Sequence, residues 1–149
     1  MSLHKAIQEH LAGKSEITAL CSTRIFQDDA PDKNSDGTTP LTKPYITYSQ
    51  KGNSHTHHLG GDSGLANPMF QIDCWDDNRS GARELFEAVR EEMDTFTGTM
   101  GTDGDATTVR SVSLENDLDT FLPGKGSEDG LYGVSSTWEF WINETAATP

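Results

Sequence analysis

An α+β domain is predicted: a mostly antiparallel sheet of about four or five strands with one long and one short helix packed on one face, and long polar loops. Three observations predict it. From Met69 to Trp75, Phe70, Ile72 and Cys74 alternate with Gln71, Asp73 and Trp75, the period of a strand with one buried face. Directly after it, Ala82, Leu85, Phe86, Val89, Met93 and Phe96 recur at spacings of three and four, while Arg83, Glu87, Arg90, Glu91 and Asp94 fall on the other side. From Leu131 to Asn143, Val134, Ser136, Trp138, Phe140 and Ile142 share one face of a final strand, opposite Ser135, Thr137, Glu139 and Trp141. The connection Asp76, Asp77, Asn78 is so short that the long helix must fold back over the sheet containing its own strand. Asn78 or Asp77 suits the helix N-cap, and Gly98 can take the left-handed conformation that ends a helix.

In chain order, Leu3, Ile7 and Leu11 lie four apart with Ala6 and His10 beside them, a short helix ending near Gly13. Ser15 caps a second short turn with Ile17 and Leu20 inward, and Thr23 to Phe26 forms a brief strand. Gln27 to Lys43 holds acids, prolines, Asn and Gly with almost nothing apolar, and reads as a mobile loop. Pro44 to Gln50 is rich in β-branched and aromatic residues, a strand whose natural partner begins at Met69. Between them, residues 51–66 carry scattered glycines around His55, Thr56, His57 and His58, a second mobile loop. Thr99 to Asp105 reads as a glycine-rich turn. Thr107 to Leu114 follows as a strand with Val109, Ser111 and Ser113 on one side and Arg110, Val112 and Leu114 on the other. Residues 115–130 form a third mobile loop, and 144–149 a disordered tail.

At 149 residues the chain fits a single domain spanning 1–149. Only 33% of it is apolar, so the core is expected to occupy about 90–100 residues with the remainder in excursions. A net charge of −13 without clustered Lys and Arg excludes a surface built to grip phosphate backbones. No run of apolar residues is long enough to span a membrane, and the N-terminus lacks a signal-peptide pattern, so a soluble intracellular protein is expected. Cys21 and Cys74 lie in different elements without a CxxC pattern and read as buried free thiols.

No catalytic constellation emerges. Asp73, Asp76 and Asp77 sit where a helix start favours acids, which accounts for their clustering. Cys74 alternates with core residues, so it lacks the exposed thiolate a nucleophile needs. Gly124 to Ser127 places a Lys among glycines but lacks the spacing of a phosphate loop. His55, His57 and His58 with Asp62 are of types that ligate zinc, but adjacent His57 and His58 diverge in an extended chain and the glycines leave them unfixed. No metal, no other cofactor and no enzymatic activity are expected.

The order of elements resembles the tail completion proteins of long-tailed phages and prophages, also called tail-to-head joining or tail terminator proteins. The resemblance rests on the N-terminal helix, on Arg24, Ile25 and Phe26 before an acidic loop, and on Pro44 to Tyr48. Gln71 to Trp75 before a helix with an early Ala, and the closing Trp138, Glu139, Phe140 and Trp141, complete it. It implies a non-enzymatic virion protein, made in the host cytoplasm, that forms a hexameric ring ending the tail tube and joining tail to head. Its implied partners are copies of itself, the tail-tube protein and a head connector or head-closure protein, with neither membrane nor sequence-specific nucleic acid. His57, His58, Glu91, Glu92 and Asp94 are the candidate contacts. Glu91, Glu92 and Asp94 crowd a helix end that is already partially negative, a local cost that suggests a basic partner. A head-closure or other minor virion protein, or a metal-binding module using the His55 to His58 run, are the alternatives.

Overall fold

The computed structural model describes residues 3–22, 24–28, 42–58, 61–94, 96–101, 107–122 and 130–143, without the side chains of 53–58, 61–65 and 143. The elements are α1 (Leu3–Ala12), α2 (Ser15–Cys21), β1 (Ile25–Gln27), β2 (Tyr45–His58), β3 (Gly61–Asp76), α3 (Arg79–Met93), β4 (Gly98–Met100), β5 (Thr107–Leu122) and β6 (Leu131–Asn143). The strands form one sheet in the order β1-β2-β3-β6-β5-β4. All neighbours are antiparallel except β1, which lies parallel to β2. The α+β class predicted from the sequence is therefore correct, with six strands among the described residues instead of four or five and with three helices there, because the second turn is a short helix of its own.

Register builds the core. Ile46, Cys74 and Val134 stand side by side across β2, β3 and β6, as do Tyr48, Ile72 and Ser136, then Gln50, Phe70 and Trp138. Apart from Gln50, every one of these is buried. Six strands spaced about 4.8 Å apart would span roughly 24 Å if flat. Yet α1, about 15 Å long by its ten residues, lies against both edge strands, β1 and β4. The sheet therefore curls around its helices. Ala6, Ile7 and Leu11 of α1, Ile17 and Cys21 of α2, and Ala82, Leu85, Phe86, Val89 and Met93 of α3 fill the concave side.

The α3 N-cap follows the sequence expectation: Asn78 Oδ1 accepts from the Gly81 amide at 2.7 Å. The other end does not. The helix stops at Met93 with Asp94 extended, five residues before Gly98. Gly98 does have a positive φ of 126°, but it opens β4, which pairs Gly98 to Met100 with Thr107 to Val109. Part of the expected turn at Thr99 to Asp105 is thus strand; residues 102–106 lie outside the described residues. Phe96, expected on the helical stripe, still packs on the core from beyond the helix end, edge-on to His10 with ring centroids 4.6 Å apart.

Two stretches expected as loops are strand. β2 continues through residues 51–58 and β3 starts at Gly61, so residues 51–66 are largely the two legs of one long hairpin. β5 likewise runs on through Glu115 to Leu122. Of the Gln27 to Lys43 loop, residues 29–41 lie outside the described residues, as do residues 123–129 and 144–149. The faces of β5 also differ from strict alternation. Val109 and Val112 are both buried because a register shift between Val109 and Ser111 inserts one residue and returns the strand to the same face.

On the convex side Trp75 lies across Gly133, and its indole N–H donates to Thr47 Oγ1 at 3.1 Å. A Cβ at Gly133 would stand 2.6 Å from two Trp75 ring carbons and 2.8 Å from Thr120 Oγ1. Gly133→Val is accordingly expected to destabilise the fold by about 1–3 kcal/mol through overpacking. A urea midpoint unchanged from the parent would contradict this close approach.

Candidate assembly surfaces

The second half of β5 is where the sequence reading and the structure differ most. Its inner neighbour is β6, from Leu122 against Leu131 back to Val109 against Ile142. On its outer side β4 covers only Thr107 to Val109. From Ser111 to Leu122 no strand pairs with that side among the described residues, leaving an edge of main-chain N–H and C=O groups. β2 has the corresponding feature at the opposite side of the sheet. β1 covers Ile46 to Tyr48, and beyond them Gln50, Lys51 and Gly52 are exposed, with no outer partner strand among the described residues.

The three large apolar side chains that the described residues leave exposed all sit on this outer part of β5: Leu118 at 64%, Phe121 at 48% and Leu122 at 52%. Leu118 and Leu122 share the convex face with Trp75, while Phe121 lies tilted against Tyr132 at the concave rim, ring centroids 4.7 Å apart. Leu118, Thr120 and Leu122 fall on one face and Asp117, Asp119 and Phe121 on the other, so apolar residues stand on both faces and no apolar period marks the strand. With acids and glycines flanking it, such a stretch has the composition of a loop.

Asp117 and Asp119 point to the concave side, where α3 meets them. Arg83 reaches Asp117 at 2.9 Å and Asp119 at 2.7 Å. Arg79, one turn earlier, donates to the carbonyls of Gly133 at 2.8 Å and Thr120 at 3.1 Å, and its guanidinium lies 5.0 Å from the Tyr132 ring centre. The hydrogen bond that Arg83 donates to the Asp117 carboxylate is the chief influence holding its guanidinium pKa above the ordinary value. These pairs are partly exposed and individually contribute no more than about 1 kcal/mol. Their consequence is geometric, since they tie the far end of β5, already paired with β6 on its inner side, to the helix as well.

The candidate contacts named from the sequence lie elsewhere. Glu91 is exposed, Glu92 pairs with Lys14 at 3.6 Å, and Asp94 approaches Arg90 at 3.8 Å, so they gather at the C-terminal end of α3. Beside them, His10 Nε2 lies 3.1 Å from the Glu92 carbonyl. Burial, the largest influence, lowers the His10 pKa, and the bond to that carbonyl opposes the shift. The backbones of His57 and His58 pair with Asp62 and Gly61 at the far end of the β2–β3 hairpin, and their side chains lie outside the described residues. The structure therefore does not bring the histidines and the α3 acids into one described cluster.

Nor do the other reactive groups converge. Asp77 pairs with Lys43 at 2.8 Å, Asp76 accepts from the Asp77 amide, and Asp73 accepts from Gln71. Burial pushes the Cys21 thiol up to about 11 and the Cys74 thiol well above its ordinary value, so neither is a ready nucleophile. Among the described residues no three His, Cys, Asp or Glu side chains are grouped as metal ligands. No helix of the described chain is long and apolar enough to cross a membrane.

What the molecule offers instead is surface for association: two unlike sheet edges, an exposed apolar trio and an acidic helix end. Those features define a candidate structural protein, one that works by being bound. Residues 5–123 match the family model described as tail completion protein gp17, and the chain belongs to that family. It is accordingly a non-enzymatic structural component of the phage virion. Among solved structures, a chain in "Virion of native gene transfer agent (GTA) particle" has a similar fold, with a TM-score of 0.66 and 13% sequence identity. The alignment covers 95% of this chain and 94% of that one. No curated protein matches the sequence.

Proposed function

We propose that this chain closes into a hexameric ring that ends the tail tube and joins the tail to the head, acting through binding and geometry with no bond made or broken. The observation that carries the reading is the pair of unlike edges on opposite sides of one sheet. A head-to-tail contact needs two different patches per subunit, and repeating it by rotation closes a ring. Family membership supports the position at the tail end. The charge of −13 suits a ring through which DNA passes without being held. The tail-tube protein binds one surface of the ring, and a head connector or head-closure protein the other.

Labelled antibodies viewed on intact virions test this directly. Label at the head–tail junction, on particles whose isolated protein forms rings, is the expected result. Label confined to another part of the virion would assign the chain to a different minor structural role.

Within this reading, Glu91, Glu92 and Asp94 face a basic patch on a neighbouring subunit or on the adjoining tail ring, and His57 and His58 make a contact at the far end of their hairpin. The combined variant Glu91→Gln, Glu92→Gln, Asp94→Asn relieves crowding at the helix end but gives up the partly exposed pairings with Lys14 and Arg90. Its melting is expected to stay within about 1 kcal/mol of the parent. Tail attachment should weaken, most clearly at low salt where screening is least. Attachment that follows the parent across a salt series would leave these acids with a solubilising role only.

A further inference from the structure

We propose that the outer edge of β5, from Asn116 to Leu122, is the seam between subunits, and that its occupant is the outer edge of β2 from a second copy of this chain. The inference deepens the ring reading and rests on it. It starts from a conflict on the surface. An open edge strand invites association, and isolated proteins normally blunt such edges with charge, bulges or a covering segment. Here β5 is bulged at Val109/Ser111 and Leu114/Asn116, yet beyond Asn116 the pairing with β6 is regular to Leu122. That regular stretch is the one that carries Leu118, Phe121 and Leu122, more than half, nearly half and about half exposed. Apolar side chains gathered on an open edge lower the free energy when a partner strand covers them.

Charge identifies the occupant. The outer part of β5 contributes Glu115, Asp117 and Asp119 with no cation of its own, and Arg79 and Arg83 answer the last two from the concave side only. Of the four long strands, β2 alone contains no carboxylate. Its outer stretch, Gln50 to His58, carries Lys51 and three histidines. Pairing β5 of one copy with β2 of the next therefore brings an acidic edge to a neutral-to-basic one, whereas β5 against β5 would oppose like charges. Unlike edges also make the contact heterologous, which is what ring closure requires. Within one subunit β3 and β6 separate β2 from β5 by roughly 14 Å, so the two edges cannot meet in the same chain.

The test uses full-length chains assembled in virions. A chain carrying both Gly52→Cys, where an added side chain meets nothing within 4 Å, and Asn116→Cys is expected to give, on mild oxidation, a ladder of covalent multimers. Chains with either change alone should remain single. Leu118→Lys, at a site too exposed to matter to the monomer, should leave the melting temperature unchanged and lower incorporation into virions by at least about tenfold, the effect of losing roughly one factor of 1.4 kcal/mol. Dimers formed by Asn116→Cys alone would mean that β5 pairs with itself, and normal incorporation of Leu118→Lys would place the seam elsewhere. Either result overturns the proposal while chemical cross-links between copies at other positions leave the ring standing. Absence of cross-links of any kind between copies in the virion would remove the ring as well as the seam.

Discussion

Phe86→Ala and Leu85→Ala are each expected to lower the free energy of unfolding by about 2–5 kcal/mol, the cost of deleting a large side chain and leaving a cavity. Both residues are wholly buried on the sheet-facing side of α3. The helix packs on β3 and β6, whose core residues Phe70, Ile72 and Cys74, and Val134, Trp138 and Phe140, are held by register. A sheet whose inner rows are locked by ladder hydrogen bonds on both sides cannot easily collapse into the space. Glu87→Ala, on the exposed face of the same helix, should change stability by less than about 0.5 kcal/mol. Urea titrations of the three variants check this, and coincident midpoints would mean that the helix presents a different face to the sheet.

Trp138→Ala should be as damaging, about 3–5 kcal/mol, because Trp138 is the largest fully buried side chain. It also anchors a polar chain inside the core. The indole N–H donates to Ser136 Oγ at 2.8 Å, and that hydroxyl donates to the Ile72 carbonyl at 2.7 Å. Ser136→Ala removes only an oxygen, yet it leaves a buried indole N–H without its acceptor and is expected to cost about 1–3 kcal/mol. Trp138→Phe keeps most of the bulk and no longer needs that acceptor. In the Trp138→Phe background, Ser136→Ala should therefore cost less than in the parent, a coupling that a double-mutant cycle reads directly. Strict additivity would mean that the hydroxyl contributes only through Ile72.

Ser136 illustrates what sequence reading reaches and what it leaves. Its place on the inner face of β6 followed from alternation, but its role as the link between Trp138 and β3 depends on which strand lies alongside. The same holds for the acids of β5. Asp117 and Asp119 look like loop residues until Arg79 and Arg83 arrive from a helix more than thirty positions away. Met100 shows it again: it is buried in a three-residue strand that exists only because β5 is present to pair with it.

By itself the sequence determined the β3–α3 unit, an N-cap at Asn78 or its neighbour Asp77, the inner face of β6, the pairing of β2 with β3 and the burial of both cysteines. The cap is local hydrogen-bonding chemistry; in the strands and the helix one side faces a core and the other faces water, so burial imposes a period on the chain. Tertiary structure alone decided the lengths of β2, β3 and β5, the bulge that puts Val109 and Val112 on one face, and the end of α3 at Met93. It also decided the two edges that no strand among the described residues covers. The outer stretch of β5 is largely exposed on both faces, so no core wrote a hydrophobic period into it, and its strand form is set by hydrogen bonds to β6, which is distant in sequence.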